Sequence, residues 1–271
     1  MKLNGVFTTG IVATILLASC TTEPITGRKQ FSFMGTGEET QLGVSEFNKL
    51  KQSTPISKDP KINEMVQRVG KKIAVSAKDD LPDAQWEFVV FDSKEANAFC
   101  LPGGKVGVYT GILPITRDEA GLATVLGHEV AHAAAHHGSE RMSQATAMQA
   151  AGQLVGVGVA AAGASATTQS LVSVAYPTLA QYGVLLPYSR TQESSADRIG
   201  LTYMARAGYD PAEALNFWKR FAAYNQQRGG GTTPSFLSTH PLDDVRIKQI
   251  EGWLPEARAQ MSNSVISKPA Q

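Results

Sequence analysis

His128-Glu129-Val130-Ala131-His132 places two imidazoles and a carboxylate within five residues. On an α-helix, positions four apart are separated by about 40° around the axis and about 6 Å along it, so both rings reach one metal ion. Glu129 projects to one side of that face, where its carboxylate can take a proton from an attacking water and pass it to a leaving amine. The chemistry such a set supports is metal-assisted hydrolysis of an amide bond. A structural histidine pair is the plainer alternative. The surroundings argue against it, because charged side chains seldom sit among Leu126, Val130 and Ala131 without a partner.

A hydrolytic zinc site takes three protein ligands and keeps one position open. The metzincin pattern would put glycine and histidine six and ten residues after His128, but Ala134 and Gly138 stand there. On a continuing helix His136 lies about 12 Å along the axis from His128, too far to share an ion bonded at about 2.0 Å. His136 and His137 are therefore expected around the site or facing solvent. The better third ligand is Glu193, followed one turn later by Asp197, with the small residues Ser194, Ser195 and Ala196 between them. An acidic residue in a first helical turn is commonplace. Asp197 shifts the balance, since a carboxylate one turn beyond a ligand can hold an imidazole N–H and fix its tautomer. The expected cofactor is one Zn2+ per chain on His128, His132 and Glu193, with Glu129 catalytic.

The elements that must position these residues are partly visible. Asp59-Pro60 caps a helix along which Ile62, Met65, Val66, Val69 and Ile73 recur at helical spacing. Trp86 to Phe91 and Lys105 to Tyr109 read as two strands, with Pro102-Gly103-Gly104 turning between them. From Asp118 the pattern is helical into the histidine cluster and ends near Gly138. Met142 to Ser189 holds no charged residue and predicts a buried or groove-covering helical pair. Asp210-Pro211 and Pro241 open two more helices, and Gly229 to Gly231 reads as a loop. The fold expected is α+β and mainly helical, with a small antiparallel sheet.

The chain has 271 residues, 42% hydrophobic and 18% charged, enough to bury a core. Lys plus Arg total 25 against 24 for Asp plus Glu, so no net field draws it to nucleic acid. Lys2 is the only charge before Glu23, and Val6 to Leu17 is mostly apolar, the pattern of a secretory leader. That run is shorter than the roughly 20 residues a helix needs to cross a bilayer. It ends in Leu17-Ala18-Ser19-Cys20, which resembles the bacterial lipobox. Residues 1–19 are then a signal peptide, Cys20 is the lipidated residue, 20–36 a tether, 37–261 the zinc metallopeptidase domain and 262–271 a flexible tail. An ordinary leader with a chance cysteine is the alternative. Thr21 in place of aspartate resembles the Gram-negative sorting pattern for the periplasmic side of the outer membrane. With Cys20 on lipid, Cys100 is a lone thiol; a bridge between them is the other reading.

The constellation of His-Glu-x-x-His, Glu193-x-x-x-Asp197 and Ser238-Thr239-His240-Pro241 resembles the HtpX, Oma and CAAX-prenyl-endopeptidase family of gluzincin metallopeptidases, above all its bacterial periplasmic lipoprotein members. The likeness runs from Ile25-Thr26-Gly27-Arg28-Lys29-Gln30 through Asn97-Ala98-Phe99 and Gly111 to Arg246-Ile247. It implies a zincin-like core with an active-site helix, whose edge strand, here Val106, Gly107, Val108 and Tyr109, pairs with an extended substrate. It also implies that His240 lies near the metal, as fourth ligand or oxyanion stabiliser, unless it is a simple turn histidine before Pro241. The chain lacks the several membrane helices of embedded members, and the uncharged Met142 to Ser189 segment stands where they have spans; here it would be a lid or plug. Misfolded or misassembled envelope proteins are the implied substrates, with outer-membrane assembly machinery as a partner. The rival is a lipoprotein chaperone with a latent or structural zinc site.

Overall fold

The structure is a computed structural model, and it describes residues 20–180, 186–227 and 234–266. The leader, the Gly229 to Gly231 run and the last five residues lie outside them. The elements follow as β1 (Cys20–Thr22), β2 (Lys29–Phe31), α1 (Thr36–Ser53), α2 (Pro60–Ser76), β3 (Glu87–Phe91), β4 (Ala98–Leu101) and β5 (Lys105–Tyr109). Then come α3 (Leu113–Thr116), α4 (Glu119–Ala134), α5 (His137–Ala161), α6 (Ala166–Ala180), α7 (Leu186–Arg206), α8 (Glu213–Gln227), α9 (Ser235–Thr239) and α10 (Asp244–Ile266). The mainly helical α+β class expected from the sequence holds. Among the described residues two compact units form: a smaller one from residues 20–23, 27–35 and 136–192, and a larger one from residues 24–26, 36–135 and those from Glu193 on.

In the larger unit the Asp59 carboxylate accepts the N–H groups of Lys61 at 2.8 Å and Ile62 at 3.3 Å, starting α2 at Pro60 as its type predicts. The face of α2 carrying Val66, Val69 and Ile73 is buried in the core. Asp118 caps α4 by accepting from Gly121 N–H at 2.9 Å, and every residue from Gly121 to Ala134 is buried. A helix enclosed all round carries no amphipathic stripe. It stops at Ala134, and His136 takes a left-handed φ of 52°, so α4 does not continue into His137.

Two expectations about the sheet are corrected. It is mixed: the strand order is β3-β5-β4, with Phe88 opposite Val106 in a parallel pair and Cys100 opposite Val106 in an antiparallel one. Val106, Gly107, Val108 and Tyr109 are therefore the central strand, and their backbone groups pair with strands on both sides. The outer side of β3 is closed by the segment before α2, through Ser57 N–H to the Val90 carbonyl at 2.8 Å and Asp92 N–H to the Pro55 carbonyl at 2.7 Å. The open edge is β4, which packs against α4.

In the smaller unit, β1 and β2 pair antiparallel with Cys20 opposite Phe31 and Thr22 opposite Lys29. The expected tether is thus a hairpin, held because Glu23, Gln30 and Ser32 are buried. The helical pair expected after Met142 is present as α5 and α6, yet it is exposed where burial was expected, with Leu154 74% and Val157 68% accessible. Among the described residues no helix is long and apolar enough to cross a membrane.

Candidate metal centre

Two helices of the larger unit bring the chemistry together. Where α4 crosses α7 the backbones touch: a Cβ added to Gly127 would lie 3.0 Å from the Gly200 carbonyl oxygen, and one on Gly200 would lie 3.0 Å from the His128 nitrogen. A Cβ at either position would press on the facing backbone, so the two glycines let the helices approach this closely and carry Glu193 and Asp197 up to the histidines. His128 Nε2 and His132 Nε2 are 3.1 Å apart, and each is 3.3 Å from a carboxylate oxygen of Glu193. His240, directly after α9, puts Nδ1 3.2 Å from His128 Nε2 and 3.1 Å from both Glu193 oxygens.

Tetrahedral zinc with bonds of about 2.0–2.1 Å separates its donors by about 3.3 Å. The spacing of these four side chains matches that figure, and all four are buried. Imidazole nitrogens and a carboxylate are a donor set that suits zinc. Lone pairs facing one another at such distances repel unless a cation lies among them, so the residues fit the group.

The surrounding charges point the same way. Burial alone would lower the His128 pKa, but the carboxylates of Asp197 and Glu193 close beside it overcome that and raise it to about 9. Burial would raise the Glu193 carboxyl, yet the imidazoles hold it well below the usual carboxylate range. Both effects mean that the cluster stabilises positive charge at its centre. Asp197 Oδ1 is 3.1 Å from His128 Nδ1, close though off the line of the ring N–H. Arg246 fixes that carboxylate with Nε and Nη2 at 2.7 and 2.8 Å, lies 3.2 Å from Glu193, and stacks over Trp218 with Cζ 4.4 Å from the ring centroid. Trp218 meets the His128 ring edge to face, and Phe236 packs on His240. Glu129 is buried, with Oε1 3.4 Å from His240 Nε2.

Of the residues singled out in the sequence, His128, Glu129, His132, Glu193, Asp197 and His240 come together here. Val106 to Tyr109 do not offer an edge. The side chain of Cys20 lies outside the described residues, and Cys100 is a free thiol on β4. His137, expected around the site or in solvent, is instead buried in the smaller unit with Nε2 2.7 Å from Glu23 Oε1. Arg246 was missed as a site residue. Its signal was an arginine three residues after Asp243, whose carboxylate accepts the Arg246 N–H at 2.9 Å and so sets the first turn of α10 beside the site.

Comparison with known proteins agrees with this geometry. The profile of peptidase family M48 matches residues 60–254. The chain is similar to mitochondrial metalloendopeptidase OMA1 of Schizosaccharomyces pombe, 37% identical over 245 residues that cover 89% of this chain and 68% of that protein. The Saccharomyces cerevisiae protein of the same name is 33% identical over 249 residues, 86% of this chain and 69% of that one. The beta-barrel assembly-enhancing protease of Escherichia coli is 28% identical over 266 residues, 97% of this chain but only 53% of that protein. The chain belongs to peptidase family M48, and it is a metalloendopeptidase.

Proposed function

We propose that this chain is a zinc endopeptidase of the bacterial cell envelope, anchored by lipid on Cys20 to the periplasmic side of the outer membrane, which cuts misfolded or misassembled envelope proteins. The observation that supports it most is the convergence of His128, His132 and Glu193 at tetrahedral donor spacing with Glu129 buried beside them. A zinc ion held there would supply Lewis acidity toward a scissile carbonyl and lower the pKa of an attacking water. His128, His132 and Glu193 would hold the ion. Asp197, clamped by Arg246, keeps the proton on His128 Nδ1 so that the Nε2 lone pair faces inward. Glu129 takes the proton of the attacking water and delivers it to the departing amine. The free edge of β4, Ala98–Leu101, pairs with an extended substrate backbone, and recognition through main-chain groups gives loose sequence preference.

Incubation with unfolded casein tests the activity. Cleavage that stops with chelator and returns with zinc is expected, and a zinc-loaded protein that leaves casein intact overturns it. For the location, an inhibitor of lipoprotein signal peptidase leaves an unprocessed precursor if Cys20 is acylated. Co-purification with outer-membrane proteins identifies clients.

One observation favours a second reading. His240 stands at donor distance from both His128 and Glu193, so four protein groups can close the site. A closed site is the mark of structural zinc, and the protein would then bind envelope clients without cutting them. The chain with His240 in place, zinc-loaded and cleaving casein, rejects that reading.

A further inference from the structure

The α5–α6 hairpin of the smaller unit carries apolar side chains on its outer face as well as in its inner cleft. Its inner cleft, about 970 Å³, is lined by Met148, Val159, Val172 and Pro177 together with glutamine and serine side chains and Tyr176, whose hydroxyl donates to the Met148 carbonyl at 3.0 Å. The large apolar side chains that do not line it point outward, and Leu154, Val157 and Leu171 are 74%, 68% and 65% exposed. Ala147, Ala150 and Ala161 continue the outward face of α5, all exposed. In water, the outward face of a two-helix hairpin carries charge and the inward face is apolar. Here no Asp, Glu, Lys or Arg occurs from Met142 to Ser189.

We propose that this outer face is a lipid-binding surface that rests at the headgroup and acyl boundary of an anionic bilayer. Two further observations select lipid over a protein partner. Protein interfaces have a polar, charged rim around an apolar centre, and this stretch offers no charge at all. The charges that bracket it in the sequence are Arg141 and Arg190, both exposed cations, the arrangement that anionic headgroups favour. Since no described helix is long and apolar enough to cross a membrane, the hairpin lies in the interface and does not span it.

The inference is independent of the peptidase reading and of acylation at Cys20, and its test excludes both. Residues 20–271 carrying Cys20→Ser, which keep every described element, are floated with vesicles of phosphatidylethanolamine and phosphatidylglycerol. The protein is expected to float. Leu154→Glu, Val157→Glu and Leu171→Glu combined should lower partitioning about tenfold or more, because each carboxylate must be desolvated at the interface. Circular dichroism and casein cleavage should stay unchanged, since all three sites are exposed. As a variant that adds no charge, Leu154→Trp should show a blue-shifted emission quenched by brominated acyl chains. A protein that stays in the aqueous fraction overturns the proposal, as does a triple variant that still floats. So does self-association without vesicles that the triple variant abolishes, which would make a second copy the occupant, or a rise in KM for casein in that variant, which would make it a polypeptide site.

Discussion

Two buried clusters of histidine and carboxylate, one in each unit, show what separates an ion-binding site from a structural lock. In the smaller unit Glu23, His137 and Glu140 bring three potential ligand atoms within 4.8 Å, just as His128, His132, Glu193 and His240 do in the larger one. The smaller unit supplies its own cation. Arg28 donates through Nε to Glu23 at 2.7 Å and through Nη1 and Nη2 to Glu140 at 2.9 and 2.7 Å, while Gln192 Nε2 donates to Glu140 at 2.5 Å. In the larger unit the arginine is turned aside: Arg246 makes its short contacts to Asp197 and the Pro241 carbonyl and reaches Glu193 only at 3.2 Å. The imidazole nitrogens are left facing one another and the Glu193 oxygens. One cluster holds its positive charge covalently, and the other takes it from solution.

The largest effect that sharpens this contrast is on turnover. Glu129→Gln should keep zinc in the larger unit and lower casein hydrolysis by about 10²–10⁴-fold, the range for removing a positioned general base. Zinc content and cleavage measured on the same preparation check it, and full activity would reject Glu129 as the proton carrier. In the lock, Arg28→Met should leave zinc content unchanged and destabilise the smaller unit by about 3–5 kcal/mol, the cost of leaving buried carboxylates without their partner. Denaturant titration with and without chelator separates the two: the variant should shift the midpoint of the smaller unit in either condition, and chelator should act on the larger one.

The contrast also explains what could be read from the chain before folding was known. The metal set was legible because helical geometry ties His128 to Glu129 and His132 locally, and because Glu193 and Asp197 repeat the same one-turn spacing. The caps of α2 and α4 were legible for the same reason, in Asp59-Pro60 and Asp118. The lock was not. Its members come from positions as far apart as Glu23, Arg28, His137 and Gln192, and no periodicity links them. His137 was misplaced because the break at His136, a left-handed residue that is not glycine, leaves no mark in the residue types. β4 was missed because Ala98-Phe99-Cys100-Leu101 is apolar throughout and lacks alternation, and with it went the identity of the edge strand. The covering of the outer side of β3 by Pro55 to Ser57 is likewise a long-range pairing outside the reach of local pattern.

A smaller effect probes how the ligands are oriented. Asp197→Asn keeps the shape beside His128 but cannot hold its N–H with a full charge, and it releases Arg246. Zinc affinity should fall by about 10–100-fold, the usual cost of losing the group that orients a ligand imidazole. Competition against a chromophoric chelator measures it. An unchanged affinity would mean that Asp197 serves only to anchor Arg246 and α10.

The smallest effect belongs to the lock and depends on pH. Burial depresses the His137 pKa below 6.5, the Glu23 hydrogen bond and charge oppose that shift, Arg28 adds to it, and Glu140 opposes it weakly. A histidine kept neutral in the folded state binds fewer protons than it does unfolded, so its contribution to stability is complete above about pH 6.5 and declines as pH falls through that value. The slope is at most about 1.4 kcal/mol per pH unit for one proton. His137→Gln removes the proton-linked part while retaining a donor toward Glu23. Urea midpoints at pH 7.5, 6.5 and 5.5, chosen around the ordinary histidine value, should fall more steeply for the native chain than for the variant. Parallel slopes would show that His137 titrates in the folded state as it does in solution, and the lock would then owe its closure to Arg28 alone.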